Sequence, residues 1–371
     1  WINQNRPSLE VLNRCSNIQS IIECAPAGDL RNEIEKCTDR FTQKQAEVAF
    51  ENLIEVGRKK SEGAVYTPDY IVDFIEKRCL DHYESKRVPN VIDPACGSGG
   101  FLVRAIPLIA ARYNITHEQV INENIYGIDI NPDSVNCSKI AVELYCAKHN
   151  IIPPQDFSFL QEGDSLLTEK SSILTRFGID RDGFDLVVTN PPYVKLQSLD
   201  DDYRDQLVQA YPNFTTGSYS LAMLFLIAGD RLLSDAGQLG YITQNNIFTS
   251  LAAENIRGFL QHTKSVHTII DFGHQKVFAN ASAYTCLLFL NREPHDELLF
   301  QRCSCPEAEL LAFDGSMLDP IPLLNLKKKK WRLAPPHHLE NLKVLESRGT
   351  RLGSLADIRV GFATLKDSVY L

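Results

Sequence analysis

Apolar and polar positions follow two different periodic patterns along this chain. Over residues 1–60, apolar residues recur at helical spacing, as in FTQKQAEVAFENLIEVG, and Gly57 is placed to end a helix. From residue 61 onward, short apolar runs alternate with helical segments, a pattern typical of a mainly parallel α/β sheet. The predicted strands are 90–93, 125–130, 157–161, 184–188, 238–243, 266–271 and 283–290. The predicted helices between them include 68–80, 100–112, 132–148 and 217–234.

The pattern becomes irregular after Asn291, where prolines interrupt it repeatedly. We expect a linker there, then a short helix near 337–347, and strand character in the closing stretch IRVGFATLKDSVYL. The predicted organisation is therefore a helical segment (1–60), an α/β domain (61–292), and a linker leading into a further domain (293–371). Because the first residue is Trp and the last lies inside a patterned stretch, we expect the chain to be part of a longer protein.

The composition is that of a globular protein, with 44% hydrophobic and 23% charged residues. No apolar run approaches the length of a membrane span, and the N-terminus lacks the form of a signal peptide. The 10 cysteines include no CxxC pair and no histidine partner at zinc-ligand spacing. We therefore expect no membrane partner, no metal site and a cytoplasmic location, where thiols stay reduced.

The net charge of −9 argues mildly against a nucleic-acid partner, because phosphate binding usually leaves a basic footprint. A cleft can nevertheless be basic on an acidic protein. The lysine run at 327–330, followed by Trp331 and Arg332, could contact phosphates. Taken alone, such a run is more often a solvated surface.

The loops that follow the predicted strands carry the candidate chemistry, because ligands bind beyond the carboxyl ends of an open parallel sheet. In DPACGSGGF (93–101), Asp93 ends a strand, and Gly97, Gly99 and Gly100 make a tight turn into a helix. Glycines let the backbone approach a ligand closely, and the helix N-terminus offers N–H donors. The turn is not GxGxxG, so a nicotinamide cofactor is disfavoured.

Two more acids end the next two strands. Asp129 in GIDINP is placed to accept hydrogen bonds from ribose hydroxyls, and Asp164 in EGDSL could meet the amino edge of an adenine ring. Each acid alone could instead be a helix cap or a turn residue. With Asp93 and the glycine turn, three acids at successive strand ends favour a nucleoside ligand.

The segment TNPPYVK (189–195) comes directly after the apolar run FDLVV. Prolines end a strand because they lack an N–H and fix φ, so this loop is stiff. The Asn190 amide oxygen and the Pro191 carbonyl can accept the hydrogens of a planar amine, and Tyr193 can stack on an extruded base. The alternative is a proline-rich turn with a surface tyrosine.

Together, these motifs resemble those of the S-adenosylmethionine-dependent DNA methyltransferases that methylate amino groups. The resemblance runs from about residue 63 to 290 and is to the adenine-specific gamma group, which has its cofactor motifs first and its recognition domain last. It places Thr67, in GAVYTP, at the methionine portion of the cofactor and Asp93 at its ammonium. It places Asp129 at the ribose and Asp164 at the cofactor adenine. The cofactor-binding residues implied are Thr67, Asp93, Ala95, Gly97, Gly99, Asp129, Ile130, Asp164, Ser165 and Asn190.

The same resemblance implies a catalytic motif formed by Asn190, Pro191, Pro192 and Tyr193. KVFANASAYTCLLFL (276–290) is similar to the late motif whose aromatic residue, here Phe278, covers the flipped base opposite Tyr193. The implied fold is the Rossmann-like class I methyltransferase, a seven-stranded and mainly parallel sheet with one antiparallel strand near the edge.

The implied function is a site-specific adenine methyltransferase of a restriction-modification system. Its partners would be double-stranded DNA and a recognition or restriction subunit or domain, since the closing stretch is similar to the entry into the recognition domain of type IIG and type I methylases. The alternatives are an amino methyltransferase acting on RNA or protein glutamine, the methylase half of a fused endonuclease, and a non-catalytic subunit. A nuclease built on PD (68–69) and ESK (84–86) is disfavoured, because the segment between them has helical spacing.

Overall fold

The computed structural model describes residues 67–217, 219–278, 283–350 and 352–357. The predicted helical segment 1–60 and the closing stretch IRVGFATLKDSVYL lie outside the described residues, as does most of GAVYTP. No helix in the described ranges combines the length and apolar character that crossing a bilayer requires.

From Asp69 to Asp271, each strand is preceded by one or two α-helices. The strands are β1 (Val91–Asp93), β2 (Ile125–Asp129), β3 (Leu160–Glu162), β4 (Phe184–Thr189), β5 (Leu233–Gln244), β6 (Val266–Asp271), β7 (Thr285–Asn291), β8 (Glu297–Arg302) and β9 (Asp319–Pro322). The first helices are α1 (Asp69–His82), α2 (Gly100–Tyr113), α3 (His117–Glu123), α4 (Pro132–His149), α5 (Lys170–Arg176) and α6 (Asp201–Ala210). They are followed by α7 (Leu221–Leu232), α8 (Glu254–Thr263), α9 (Pro306–Leu311), α10 (Pro336–Arg348) and α11 (Leu352–Leu355).

The strands form one sheet of nine in the order β3-β2-β1-β4-β5-β7-β6-β8-β9. β7 is antiparallel to both β5 and β6, and β9 is antiparallel to β8, while the other neighbouring strands are parallel. The parallel strands β1, β2 and β4 are almost fully buried, as continuous apolar runs predict, whereas β3 at the edge of the sheet is only partly buried. All parallel strands therefore end at one edge of the sheet.

The predicted number of seven strands was wrong. β8 and β9 extend the sheet beyond β6, and both lie in the stretch interpreted as a linker from residue 293. The prolines in that stretch are compatible with a strand because β9 is an edge strand, and Pro320 and Pro322 need no N–H toward solvent. Consequently β7 is not near the edge, and a second antiparallel strand, β9, forms the edge instead.

The seven predicted strands are all present, and all but 266–271 have shifted boundaries. The largest shift is at β5, which begins at Leu233 inside the predicted helix 217–234, because α7 ends at Leu232. The chain turns there so that Leu233 pairs with Phe184, and a register shift follows before Gln238 pairs with Leu186. Hydrophobic periodicity alone does not place such a boundary, since both α7 and β5 are buried.

Candidate active site

A cavity of about 580 Å³ lies at the carboxyl ends of β1, β2, β3 and β4. A smaller pocket of about 80 Å³ adjoins it and shares the lining residues Ala95, Gly97 and Asn190. Nine of the predicted cofactor residues line one or both spaces, namely Thr67, Asp93, Ala95, Gly97, Asp129, Ile130, Asp164, Ser165 and Asn190. The four strand-end loops singled out in the sequence are thus brought together.

The glycine loop (residues 94–99) is shaped by two glycines in the left-handed region. Gly97 has φ +53° and Gly99 has φ +80°, conformations that side chains with a Cβ rarely adopt. The Gly97 N–H donates to Asp129 Oδ2 at 2.9 Å, and Ser138 Oγ of α4 donates to the Gly97 carbonyl at 2.9 Å. Gly99 does not line either space. A Cβ there would lie 3.1 Å from Ser138 Oγ, so this glycine lets α4 approach the back of the loop.

Asp93 is almost completely buried at the floor of the smaller pocket. Its Oδ1 accepts a hydrogen bond from the Ala95 N–H at 3.0 Å. Burial raises the pKa of the Asp93 carboxyl to about 7, with a further rise from Asp129, against the opposing effect of Thr189 and the Ala95 N–H. Such a carboxyl gains most from a cationic ligand group, which would favour its ionised form.

Glu76 is a neighbour of Asp93 that sequence reasoning missed. It lies on α1, is buried, and its pKa is raised well above the usual value by burial and by the charges of Asp93 and Asp73. The sequence contains a signal for this buried acid, because Glu76 stands between the apolar positions Ile75 and Cys79 on the buried face of an amphipathic helix. Two carboxyls therefore share the region behind the glycine loop, and ionising one disfavours ionisation of the other.

Asp129 and Asp164 are turn residues as well as cavity residues. Asp129 Oδ1 accepts from the Asn131 N–H at 2.9 Å, at the start of α4. Asp164 Oδ1 accepts from the N–H groups of Leu166 and Leu167 at 2.8 and 3.2 Å. Both carboxylates are therefore held in fixed orientations while they line the cavity.

The cavity also has an apolar side. Ile130 is 61% exposed, which is unusual for an isoleucine beside a strand end, and its side chain faces ligand space. Further apolar and aromatic lining, which sequence reasoning did not find, comes from Val194, Leu199, Tyr203, Leu221 and Phe225. The Tyr203 hydroxyl is hydrogen-bonded to Asp164, and this bond and burial both raise the Tyr203 pKa. These residues lie on segments after β4 that have no strand-end signature.

The NPPY loop (residues 190–193) follows β4 directly. Asn190 Nδ2 donates to Thr67 Oγ1 at 2.9 Å, and Thr67 is itself buried. With the nitrogen bound to Thr67, the oxygen Oδ1 is the end of the amide that can accept from a ligand amine. Pro191 and Pro192 line the larger cavity and limit the freedom of the loop.

Tyr193 and Phe278, the predicted stacking pair, are in contact. Their ring centroids are 6.2 Å apart with an interplanar angle of 61°, and Phe278 is only 2% exposed. Burial raises the pKa of the Tyr193 hydroxyl well above its usual value. The rings meet edge to face, so the parallel slot that the resemblance implies is not formed in this arrangement. The stacking roles stay predictions.

The model of the Eco57I restriction-modification methylase family matches residues 123–278, from the end of α3 to Phe278. This part of the chain is therefore similar to that family. The matched region contains Asp129, Asp164 and the whole NPPY loop, while Asp93 and the glycine loop precede it.

Individual relatives and solved structures are similar to this chain over most of its length. The Escherichia coli type II restriction enzyme and methyltransferase RM.Eco57I is 25% identical over 363 residues, covering 83% of this chain and 36% of the relative. A Streptococcus thermophilus methyltransferase subunit of a type I restriction-modification system has a TM-score of 0.50 at 20% identity, covering 81% and 57% of the two chains. The structure of a DrdV–DNA complex has a TM-score of 0.62 at 16% identity, covering 84% and 37%. The class I methyltransferase fold is confirmed, and the chain spans about a third of the length of RM.Eco57I.

Proposed function

We propose that this chain is the catalytic region of an S-adenosylmethionine-dependent DNA methyltransferase that methylates the exocyclic amine of adenine within a restriction-modification system. The observation that carries the proposal is the Asn190 amide. It is oriented by Thr67, held in a stiff loop, and belongs to the lining of a nucleoside-sized cavity whose acids stand at successive strand ends. The family match and the similarity to RM.Eco57I, whose name includes both restriction enzyme and methyltransferase, support the setting.

The residues present fit S-adenosylmethionine. This cofactor carries an ammonium, a ribose and an adenine, and when bound it supplies an electrophilic methyl group on a sulfonium. Asp93 is a buried carboxyl suited to the ammonium, and Asp129 presents a carboxylate to ribose hydroxyls. Ile130 and Asp164 line the same cavity, where Ile130 would offer apolar surface to the adenine and Asp164 would accept from its amine. A volume of about 580 Å³ lies within the range of small-molecule sites.

The chemical role of the NPPY loop follows from the poor nucleophilicity of an adenine amine, whose lone pair is delocalised into the ring. Asn190 Oδ1 and the Pro191 carbonyl would accept the two amine hydrogens and draw the lone pair out of conjugation. The loop would thereby hold the amine nitrogen ready to take the methyl group that the bound cofactor supplies in exchange for its carbon–sulfur bond, and the surplus amine proton would leave to solvent. The loop contributes orientation and fixed acceptors that need no rearrangement as charge develops.

The target adenine must leave the duplex to reach this loop, which costs a few kcal/mol of stacking. Tyr193 of the loop and Phe278 beside it would separate to receive the base, replacing their edge-to-face contact with stacking on it.

The test compares wild type with Asp93→Ala and Asn190→Ala. In calorimetry, we expect S-adenosylmethionine to bind wild type and to lose affinity strongly in Asp93→Ala. In transfer of labelled methyl groups to adenine-containing duplex DNA, we expect Asn190→Ala to lose about 10²–10³-fold in rate, the cost of one preorganised hydrogen-bonding group. Thermal melting of each variant checks that it is folded.

Two outcomes would contradict the proposal. A folded wild-type chain that does not bind the cofactor would exclude the cofactor site. Methyl transfer to RNA or to protein glutamine in preference to DNA would move the chain to the alternative class of amino methyltransferases.

A further inference from the structure

We propose that the lysine turn (residues 327–330) is a preformed binding site for the phosphate backbone of duplex DNA, placed beside the NPPY loop. The inference rests on the proposed function, since the DNA concerned is the substrate of that site. It assigns a role to a run whose sequence alone is more typical of a solvated surface.

The lysine turn concentrates positive charge on an acidic protein. The stretch from 323 to 334, LLNLKKKKWRLA, holds five basic residues and no acid, against a net charge of −9 for the chain. The Lys330 N–H donates to the Lys327 carbonyl at 2.9 Å and closes the turn, and the two residues pair as an antiparallel bridge. All four lysines are exposed. The ammonium groups therefore radiate from one tight turn into solvent.

A buried arginine holds the backbone of this turn. Arg257 of α8 is fully buried, and its guanidinium donates to the carbonyls of Lys328, Lys329 and Ile247 at 2.8, 2.7 and 2.6 Å. Burial lowers the pKa of Arg257, and the charge of Glu254 opposes this. Burying a guanidinium is costly unless its donors are satisfied, and here two of the three acceptors belong to the lysine turn. A loosely solvated run would have no such support.

Both flanks and one side chain of the turn are fixed as well. Gln261 Nε2 donates to the Leu326 carbonyl at 2.5 Å, and the Trp331 N–H donates to the Phe248 carbonyl at 2.8 Å. Trp331 is only 2% exposed and anchors the end of the turn in the core. The stem of Lys328 lies over Gly258 of α8, where an added Cβ would come within 2.7 Å of Lys328 Cε. The turn is thus rigid before any ligand binds.

The turn is attached at the carboxyl edge of the sheet. Its contacts to Ile247 and Phe248 are to the 3₁₀ turn Asn245–Phe248, which directly follows β5. β5 is parallel to β4, with Tyr241 opposite Thr189, so both strands end at the same edge and the NPPY loop follows β4 there. The cofactor cavity lies on the opposite side of β4, against β1, β2 and β3. Phosphates on the lysine turn would therefore flank the catalytic loop without entering cofactor space.

A rigid cluster of lysines suits a polyanion better than a single anion. Each lysine that neutralises a phosphate of duplex DNA releases condensed counterions, so that log K falls with log[salt] by about 0.9 per contact. Preorganisation reduces the conformational entropy lost on binding. The acidic remainder of the surface disfavours DNA elsewhere.

The test measures the salt dependence of binding of a fluorescent duplex by anisotropy between 50 and 200 mM salt. The variant Lys329→Gln/Lys330→Gln removes two charges from the turn. The control Lys86→Gln/Lys148→Gln removes two exposed charges near the opposite edge, before β1 and in the last turn of α4. We expect the slope to fall by about 1.8 only in the first variant, so that the fourfold salt increase weakens its binding about 12-fold less than wild type.

A third variant separates charge from geometry. Gly258→Ala keeps the net charge but displaces the Lys328 stem, and we expect it to reduce the slope by about 0.9. Equal slopes for the turn variant and its control would overturn the proposal, as would a wild-type chain without salt-dependent binding. S-adenosylmethionine affinity, measured on the same samples, should be unchanged in all variants. If wild type does not bind S-adenosylmethionine, the proposed function is contradicted instead. Failure of the lysine-turn proposal and failure of the proposed function can therefore be told apart.

Discussion

If Asp93 binds the cofactor ammonium, the affinity for S-adenosylmethionine must depend on pH. The Asp93 pKa of about 7 means that half of the unliganded chains hold a protonated, neutral carboxyl near neutrality. Only the ionised form pairs with an ammonium, so the apparent affinity is reduced by the ionised fraction. From that fraction, binding should be about eightfold weaker at pH 6 than at pH 7.5. The higher pH of this comparison, 7.5, lies below the usual pKa of an α-amino group, about 7.7–8.0, so most of the cofactor ammonium keeps its proton.

Calorimetric titration of wild type and Asp93→Asn at several pH values checks this. Asparagine retains the shape and the acceptor for the Ala95 N–H but carries no charge, so it should bind the cofactor weakly at every pH and with little pH dependence. A flat profile for wild type, or the same profile in both proteins, would refute the assigned role of Asp93.

The unliganded protein gives a second, opposite readout. Because the folded-state pKa of Asp93 is raised from 3.8 to about 7, the folded chain holds a proton between these values that the unfolded chain has released. Stability therefore falls as pH rises through this window, by about 4 kcal/mol once both states are ionised. Asp93→Asn lacks this fall and should melt at a higher temperature than wild type at pH 8, although the effect of Glu76 remains. If Asp93→Asn is more stable than wild type but binds S-adenosylmethionine more weakly, the Asp93 carboxyl serves ligand binding at a cost in stability.

Three further substitutions test the framework of the site. Gly99→Ala should destabilise the chain by about 1–3 kcal/mol in denaturant unfolding, because φ is positive and the new Cβ meets Ser138, whereas Ser138→Ala should cost less. His267 is buried and its pKa is lowered well below the usual value by burial and by nearby cations, so stability should be complete above about pH 6.5 and fall as pH decreases. His267→Gln should flatten that acid limb in thermal melts, and an unchanged limb would contradict the assignment. Asp185→Ala should cost about 3 kcal/mol, because it leaves Arg181 unpaired next to a buried site, while Asp182→Ala at an exposed position should cost far less.

The sequence predicted those parts of the site that lie at strand ends. A buried parallel strand is a continuous apolar run, and the residue that ends it is placed by the sheet itself. Asp93, Asp129 and Asp164 therefore meet around one cavity, as expected from their positions alone. The alternative interpretation of these acids, as turn residues, is also met by Asp129 and Asp164, which line the cavity while they accept backbone hydrogen bonds; their binding of a ligand stays a prediction.

The sequence did not predict the features whose positions no hydrophobic periodicity marks. Tyr203 and Phe225 reach the cavity from helices after the NPPY loop, and their place depends on how α6 and α7 return over the sheet. β8 and β9 were taken for a linker because prolines mask strand character unless the strand is known to be at the edge. The lysine run could not be interpreted because its support, Arg257, is about 70 residues away along the chain.

If both proposals hold, the charge distribution would explain why the net charge of −9 is a poor guide to partners. Under the two proposals, the ligands have opposite charge, since the cofactor carries a sulfonium and an ammonium while DNA is a polyanion. The two proposed binding sites lie on opposite sides of β4. Carboxyls gather on the side of β1 to β3, and the lysine turn is attached beyond β5. The NPPY loop stands between them, where its acceptors are neutral and therefore neither repel phosphates nor compete with Asp93 for the cation. A uniformly basic surface would attract DNA but would oppose cofactor binding, so an acidic protein with one rigid basic turn meets both demands.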